Sequence, residues 1–179
     1  MSLNAGALDG KQIRLERPSK SGSMYYNYKL FYSIVLLAVS DSKCQFLSVD
    51  MGGYGEQSDG GTYTISLLSG YMKNASYFPP PCFIDGLSVK LPYLFLANDA
   101  YPLQRNLIKP YSHQNLTDEQ QIFNGRLSHP RHCVECVFEI FANKWRLLLK
   151  AIKVGEDHAT RLVKCLTVLQ NVFHRSRRH

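Results

Sequence analysis

The sequence predicts an α/β protein in which a mixed β-sheet is flanked by helices. β-Prone apolar runs are concentrated in the N-terminal half, and apolar residues at helical spacing fill the C-terminal part. The connections between these segments are short, and we find no internal repeat. Strands followed by helices with short connections favour one layered α/β domain.

Composition fits this class of protein. The chain has 179 residues, of which 45% are hydrophobic and 20% charged, so extensive disorder is excluded. No apolar run approaches the roughly 20 residues that span a bilayer, and the N-terminus does not resemble a signal peptide. The five cysteines lack the spacing of a secreted disulfide framework, which favours a reducing compartment.

The first strands are predicted from alternation and from one long apolar run. Residues 5–15 alternate at Ile13 and Leu15, and residues 30–39 are typical of a strand buried on both faces. A turn at Asp41 leads into a further strand over residues 44–50, so we expect an antiparallel hairpin.

A glycine-rich loop over residues 52–61 follows the hairpin. We expect Asp59 to cap a short helix over residues 62–73. Residues 92–97 predict another buried strand, and Thr117 is placed to start a helix.

The C-terminal part predicts two helices, each with one apolar stripe. Pro130 is expected to kink or restart the helix that precedes the first stripe, because proline lacks a donor and crowds the preceding turn. The first stripe comprises Val134, Val137, Phe138, Phe141, Trp145, Leu148 and Leu149, and the second comprises Leu162, Val163, Leu166, Leu169 and Phe173.

Charge is uneven along the chain. Residues 1–90 carry eight basic and seven acidic side chains, whereas residues 91–179 carry thirteen and seven, and the whole chain has a net charge of +7. The last six residues, 174–179, form a small basic tail. A basic half suits a polyanionic partner, although a solvated basic surface explains the same charge.

Two cysteines and two histidines lie close together and raise the possibility of zinc. Cys133 and Cys136 are separated by two residues, and His129 and His132 are beside them. A structural zinc site usually has two separated ligand pairs, and no second cysteine pair exists here. We therefore favour ordinary core or surface cysteines.

Three acidic residues are better placed for chemistry. Asp9 sits on a strand that runs into Asp-Gly, Asp99 closes the strand at 92–97, and Glu135 lies beside the apolar stripe of a helix. Carboxylates at strand ends, completed by one from a helix, can hold two Mg²⁺ or Mn²⁺ ions for phosphodiester cleavage. From spacing alone, however, turn and surface carboxylates are the favoured explanation.

A set of short motifs adds to this pattern. They are Gly-Ala-Leu-Asp-Gly-Lys at 6–11, Tyr-Tyr-Asn-Tyr-Lys at 25–29, Phe-Tyr-Ser-Ile-Val-Leu-Leu-Ala at 31–38, Ser-Asp-Gly-Gly at 58–61, Ala-Tyr-Pro-Leu at 100–103, Asn-Leu-Thr at 115–117, Phe-Asn at 123–124, Arg-Leu-Ser at 126–128, Val-Glu at 134–135 and Ala-Asn-Lys-Trp-Arg at 142–146. Together and in this order they resemble the nuclease domain of Harbinger-type DDE transposases and of proteins derived from them.

The resemblance implies a ribonuclease H-like fold, with a mixed five-stranded sheet and helices on both faces. It implies that two aspartates and one glutamate hold divalent metal. Asp9 corresponds to the first aspartate and Glu135 to the glutamate. Asp59 corresponds to a recurrent aspartate outside that triad and has a supporting role.

The second aspartate of the family is missing from its expected position. Counting back from the Ala-Tyr-Pro-Leu motif, it should occupy position 98, where this chain has Asn98 followed by Asp99. Asparagine offers a carbonyl oxygen but no charge, and Asp99 would point to the opposite face if the strand continued. We assign Asp9, Asp99 and Glu135 as catalytic candidates and Asn98 as a further metal ligand. We predict an impaired nuclease.

The family also implies DNA as a partner, nuclear localisation with a possible cytoplasmic pool, and a separate Myb-like DNA-binding protein. We predict DNA contacts by six basic residues: Lys11, Lys29, Arg126, Arg131, Lys144 and Arg146. Residues 1–173 are expected to form one endonuclease domain, N-terminally truncated because relatives carry an upstream helical region, so the first strand is expected to be short. A domesticated module that binds DNA or protein without cleavage remains the alternative.

Overall fold

The chain forms a mixed sheet between two layers of helices, in a computed structural model that describes residues 4–83, 88–112 and 115–176. The strands are β1 (Asn4–Arg14), β2 (Ser33–Ser40), β3 (Phe46–Tyr54), β4 (Cys82–Phe83), β5 (Lys90–Leu91), β6 (Leu94–Leu96) and β7 (Leu107–Ile108). The helices are α1 (Asp59–Ile65), α2 (Leu67–Lys73), α3 (Asp118–Lys144) and α4 (Glu156–Ser176), with short 3-10 helices at Ala75–Tyr77 and Arg146–Leu149.

The main sheet has five strands in the order β3-β2-β1-β6-β7. The first three strands pair antiparallel, whereas β6 and β7 are parallel to β1 and to each other. The predicted hairpin is confirmed by the pairing of β2 with β3. The predicted five-stranded mixed sheet with flanking helices is also confirmed and is consistent with a ribonuclease H-like fold.

Two apolar clusters cover the two faces of this sheet. Side chains at alternate positions of β1 and β2 face α3 and α4, where Phe141 and Val163 are fully buried. The remaining positions face the layer of α1 and α2, where Tyr63 and Leu68 are buried. Successive side chains of a strand point to opposite faces. Ala7 and Ile13 of β1 therefore point toward α3, and Leu8 points toward α1 and α2.

The first strand is longer than expected. β1 has 11 residues and pairs with β2 at eight consecutive positions, from Ala7 with Ser40 to Arg14 with Ser33. Every residue of β2 is buried, so a partner along its whole length is needed to satisfy its backbone. Pairing with β2 therefore determines the length of β1.

Two helix boundaries differ from the sequence prediction. Ser58, not Asp59, caps α1, because its side chain accepts a hydrogen bond from the backbone N–H of Gly61. The predicted helix over 62–73 is two helices, since Ser66 ends α1 and caps α2. The start at Thr117 is confirmed, and a reciprocal capping box with Gln120 holds it.

The long helix α3 runs through Pro130 without the new start that the sequence predicted. Val134, Val137, Phe138 and Phe141 of its predicted stripe are buried. Leu149, however, lies in the following 3-10 helix and is exposed, as are Leu169 and Phe173 of α4. α4 instead buries a face that includes Val163, Leu166, Thr167 and Gln170, so its packed face is more polar than the stripe suggested.

Candidate functional site

Asp9 and Asn98 face each other across the parallel pair β1 and β6. The register pairs Ala7 with Leu96, so residues 9 and 98 lie two positions further along each strand direction and on the same face. Nδ2 of Asn98 donates a hydrogen bond of 3.1 Å to Oδ1 of Asp9. The strand pairing therefore places residue 98 directly beside the first aspartate.

Both the oxygen and the NH₂ group of the Asn98 side-chain amide are hydrogen-bonded. Its Oδ1 accepts a hydrogen bond of 2.9 Å from the backbone N–H of Ala100. Because that N–H can bond only to the oxygen of the amide, the NH₂ group must point at Asp9. Asn98 therefore presents a donor to Asp9 where an aspartate would present an acceptor.

Glu135 approaches the same edge of the sheet from α3. Its Oε2 lies 2.8 Å from Nδ1 of His132, one turn earlier on the helix, and its side chain is 43% exposed. Val134, adjacent in sequence, is fully buried against the sheet and fixes the helix there. Charge coupling connects Asp9 with both Glu135 and Arg131 of α3.

Asp59 reaches the site from the opposite layer. It is the first residue of α1, and a Cβ on Gly10 would lie 2.5 Å from its Oδ1, so the carboxylate rests on the β1 backbone at Gly10. A Cβ on Gly60 would collide with the carbonyl oxygen of Ala100. The start of α1 thus packs tightly on β1 and on the turn after Asn98, which only glycine permits at both positions.

Burial controls the ionisation of the two aspartates. Burial raises the pKa of Asp9 to about 6, and the charges of Asp59 and Glu135 also raise it, while the hydrogen bond from the Gly10 backbone and the charge of Arg131 oppose the rise. Burial also raises the pKa of Asp59, against the attraction of Lys29. Such raised acids are typical of functional carboxylate clusters.

Asp99 is not part of this cluster. It lies in the turn after β6, where its side chain is exposed. Its carbonyl accepts a hydrogen bond of 3.2 Å from Nζ of Lys109. The strand has ended before this residue, and it is residue 98, not its acidic neighbour, that is hydrogen-bonded to Asp9.

The donor set does not form the three-carboxylate cage that the resemblance implies. Across residues 4–83, 88–112 and 115–176, no group of three histidine, cysteine, aspartate or glutamate side chains is arranged to hold a metal ion. Hard divalent cations bind oxygen ligands, preferably carboxylates, whereas Asn98 turns its NH₂ toward Asp9. Asp9, Glu135 and Asp59 supply the available acidic oxygens.

The six predicted DNA-contacting residues differ in exposure. Lys29, Arg126 and Arg146 are exposed, and Arg131 and Lys144 are partly buried. Lys11 lies beneath α3, with its Nζ 5.7 Å from the Phe138 ring centre, and burial lowers its pKa. Nζ of Lys144 lies 4.0 Å from the ring centre of Phe173, so these two lysines contribute to packing.

Tyr101 is a buried residue of the site that sequence reasoning missed. It is fully buried, packs edge-on against Tyr63 at 5.5 Å, and its hydroxyl has no hydrogen-bond partner within the described part of the chain. Burial and the charges of Asp9 and Asp59 raise its pKa. The hydroxyl is therefore a neutral buried group near the two aspartates.

The fold and this acidic cluster define a nuclease-like α/β domain. The chain belongs to the DDE superfamily endonuclease family, whose model matches residues 8–171. The matched range includes Asp9, Asp59, Asn98 and Glu135. No curated protein and no solved structure matches the chain significantly.

Among the described residues, no helix is both long and apolar enough to cross a membrane.

Proposed function

We propose that this chain is a Harbinger-type, transposase-derived DNA endonuclease domain whose divalent-metal-dependent cleavage is impaired at residue 98. The membership of the DDE superfamily endonuclease family supports a transposase-derived nuclease-like domain. The observation that carries the proposal is the hydrogen bond from Asn98 to Asp9. This bond puts an amide donor at the position where the resemblance expects a second aspartate.

The impairment follows from charge and from orientation. Mg²⁺ or Mn²⁺ would draw its oxygen ligands from Asp9 and Glu135, and would supply charge stabilisation at the cleaved phosphodiester. Asn98 removes one negative charge from that ligand set and directs hydrogen atoms toward Asp9. Loss of one carboxylate from such a cage removes most of the affinity for a hard cation. We therefore expect weak metal binding and slow nicking.

A non-catalytic DNA-binding module is the second candidate. The hydrogen bonds of Asn98 favour the non-catalytic module, because its side-chain amide is bonded to Asp9 and to Ala100 without any cation. The excess of basic residues after residue 90 suits a DNA backbone. In either proposal residues 1–173 act as one domain with a basic tail at 174–179, of which 177–179 lie outside the described residues. In either proposal the protein is located in the nucleus, with a cytoplasmic pool, and is assisted by a separate Myb-like DNA-binding protein.

A nicking assay on supercoiled plasmid with Mg²⁺ or Mn²⁺ distinguishes the candidates. The natural chain is compared with Asn98→Asp, with the double variant Asn98→Asp, Asp99→Asn, and with Asn143→Asp, which adds the same charge at an exposed position of α3. We expect both residue-98 variants to nick faster than the natural chain, and Asn143→Asp to match it.

The outcomes separate the two functions. Nicking that is lost in Glu135→Ala supports the endonuclease, whereas nicking that survives this substitution comes from another site or a contaminant. If no variant nicks DNA or binds Mn²⁺ but all bind DNA with a strong salt dependence, the non-catalytic module is the function.

A further inference from the structure

A groove leads away from Asn98 between the turn after β6 and the first turns of α3. Its inner part, about 230 Å³, is lined by Asn98 and Arg131, and its outer part, about 560 Å³, is lined by Lys109, Tyr111 and Phe123. Asp99 and Pro110 line both parts, so the two cavities adjoin at these residues. The inner cavity borders Asn98, and the outer cavity borders an exposed aromatic surface.

Two aromatic rings form the wall of the outer groove. The Tyr111 and Phe123 rings pack edge to face, with centres 5.3 Å apart, and the two residues remain 48% and 37% exposed. Part of each residue is therefore accessible to a stacking ligand.

The position of Tyr111 is fixed by Asn124 of α3. The backbone N–H of Tyr111 donates a hydrogen bond of 2.9 Å to Oδ1 of Asn124, and Nδ2 of Asn124 donates one of 3.1 Å to the Tyr111 carbonyl. The backbone at Tyr111 is thus held to α3 by two hydrogen bonds that do not involve the tyrosine ring. A segment that is held in place in advance loses little entropy when a ligand binds to it.

The charges of the groove are arranged in two zones. Arg131 lines the inner part, and Lys109 lines the outer part with its Nζ bonded to the Asp99 carbonyl. Asp99 is exposed and lines both parts, and its carboxylate would repel a phosphate. The two cations therefore suit phosphates, and the aromatic pair suits bases.

We propose that this groove binds an unpaired stretch of DNA, with a base stacked on Tyr111 and Phe123 and the adjacent phosphates near Arg131 and Lys109. The inference rests on the proposed function, because it specifies that the DNA bound at the same site is unpaired. Bases inside a duplex are stacked on one another and cannot reach a protein ring, whereas a frayed end or single strand can. Because Asn98 lines the inner cavity, nucleotides bound there would lie beside the acidic cluster.

The test measures binding and requires no cleavage. Fluorescence anisotropy with a labelled single-stranded oligonucleotide and with the matching duplex is compared for the natural chain, Tyr111→Ala, Tyr111→Phe and the control Tyr77→Ala, an exposed tyrosine beside α2. Loss of one stacked base costs about 1–3 kcal/mol, so we expect Tyr111→Ala to weaken single-strand binding by roughly 5- to 150-fold and duplex binding by less than about twofold. Tyr111→Phe and Tyr77→Ala should bind like the natural chain, and Asp99→Asn should bind no more weakly.

Cross-linking of the natural chain provides a second measurement. A single strand carrying 5-bromouracil, irradiated in the complex, should attach to Tyr111 or Phe123, as located by mass spectrometry. Equal single-strand affinity in Tyr111→Ala, or attachment confined to residues outside the groove, overturns the inference. Absence of nicking in any variant would overturn the proposed endonuclease but would leave this binding result unaffected, so the two failures can be distinguished.

Discussion

The side-chain amide of Asn98 donates a hydrogen bond of 3.1 Å to Oδ1 of Asp9, across the parallel pair β1 and β6. The same amide accepts a hydrogen bond from the backbone of Ala100. Residue 98 therefore gives the Asp9 carboxylate an uncharged hydrogen-bond donor. The exchange of one aspartate for one asparagine changes a repulsive pair of acids into a hydrogen-bonded pair.

Asn98→Asp should destabilise the metal-free chain and make it responsive to Mn²⁺. Near neutral pH the substitution sets two carboxylates within hydrogen-bond distance, which costs free energy by like-charge repulsion. We expect a melting temperature several degrees lower than that of the natural chain at pH 8, with Mn²⁺ restoring part of the loss. Thermal unfolding with and without Mn²⁺ measures both effects, and Asn143→Asp should show neither. An unchanged metal-free melting temperature would contradict the prediction.

The raised pKa of Asp9 predicts a pH-dependent stability. The folded chain binds this proton more tightly than the unfolded chain, since the pKa of Asp9 is about 6 in the fold, against an ordinary value of 3.8. The resulting stability is complete below pH 4 and is lost as the pH rises through 6, by about 3 kcal/mol. Asp9→Asn should therefore stabilise the metal-free chain at pH 8 and have little effect at pH 4.

Urea denaturation at several pH values tests this sign. Asp99→Asn is the matched control, because it removes one carboxylate at the exposed neighbouring position. Its effect on the free energy of unfolding should be small, because the side chain is exposed. Equal effects of the two substitutions across pH 4–8 would mean that burial of Asp9 does not govern its ionisation.

The sequence predicted the layers of the fold better than the length of its elements. Burial on both faces of β2 was readable from its continuous apolar run, because the residues of that strand supply both core clusters. The predicted segment 5–15 matched the extent of β1, whereas the expectation of a short first strand did not account for its pairing with β2. The effect of Pro130 could not be predicted from the sequence either. α3 continues through it because the residues that follow pack against the sheet.

The candidate site was predicted through motifs and not through spacing. Asp9, Asp59 and Glu135 come from three separate elements, and only the sheet register shows that residue 98 reaches Asp9. The exposed position of Asp99 depends on where β6 ends. Tyr101 and Phe123 belong to the motifs at 100–103 and 123–124, but the motifs gave them no role, because tyrosine and phenylalanine are also common in cores.

Two glycine substitutions should have opposite effects on stability. Gly60→Ala would drive a methyl group into the carbonyl oxygen of Ala100, a backbone atom that cannot rotate away. We expect a loss of about 1–3 kcal/mol in the free energy of unfolding. Gly70 lies inside α2, and a Cβ added there would have no atom within 4 Å, so Gly70→Ala should stabilise by about 0.5–1 kcal/mol. Urea denaturation measures both free energies of unfolding. A gain of stability in Gly60→Ala would contradict the packing of α1 on the turn after Asn98, and a loss in Gly70→Ala would contradict the open space around Gly70.

Pro130→Ala should stabilise the chain. Proline at this interior position of α3 leaves the Arg126 carbonyl without its helical N–H partner and crowds the preceding turn. Alanine restores the donor, and we expect a gain of up to about 3 kcal/mol with a higher helical signal in circular dichroism. Pro18→Ala, in the loop after β1, should instead cost up to about 1 kcal/mol, because it frees the unfolded chain. A loss of stability in Pro130→Ala would show that the proline ring contributes more to packing than its missing donor costs.

Arg126→Gln should weaken DNA binding in a manner that depends on salt. Arg126 is exposed on α3, and one arginine that contacts a phosphate contributes about 0.9 to the slope of log affinity against log salt concentration. We expect the magnitude of that slope to fall by about 0.9 in this variant, with similar losses for unrelated duplex sequences. Lys73→Gln removes an equally exposed charge in the last turn of α2, on the opposite helical layer, and should leave the slope unchanged. Equal slopes for Arg126→Gln and the natural chain would exclude the α3 surface from the duplex contact, and a reduced slope in Lys73→Gln would place the duplex on the other face of the sheet.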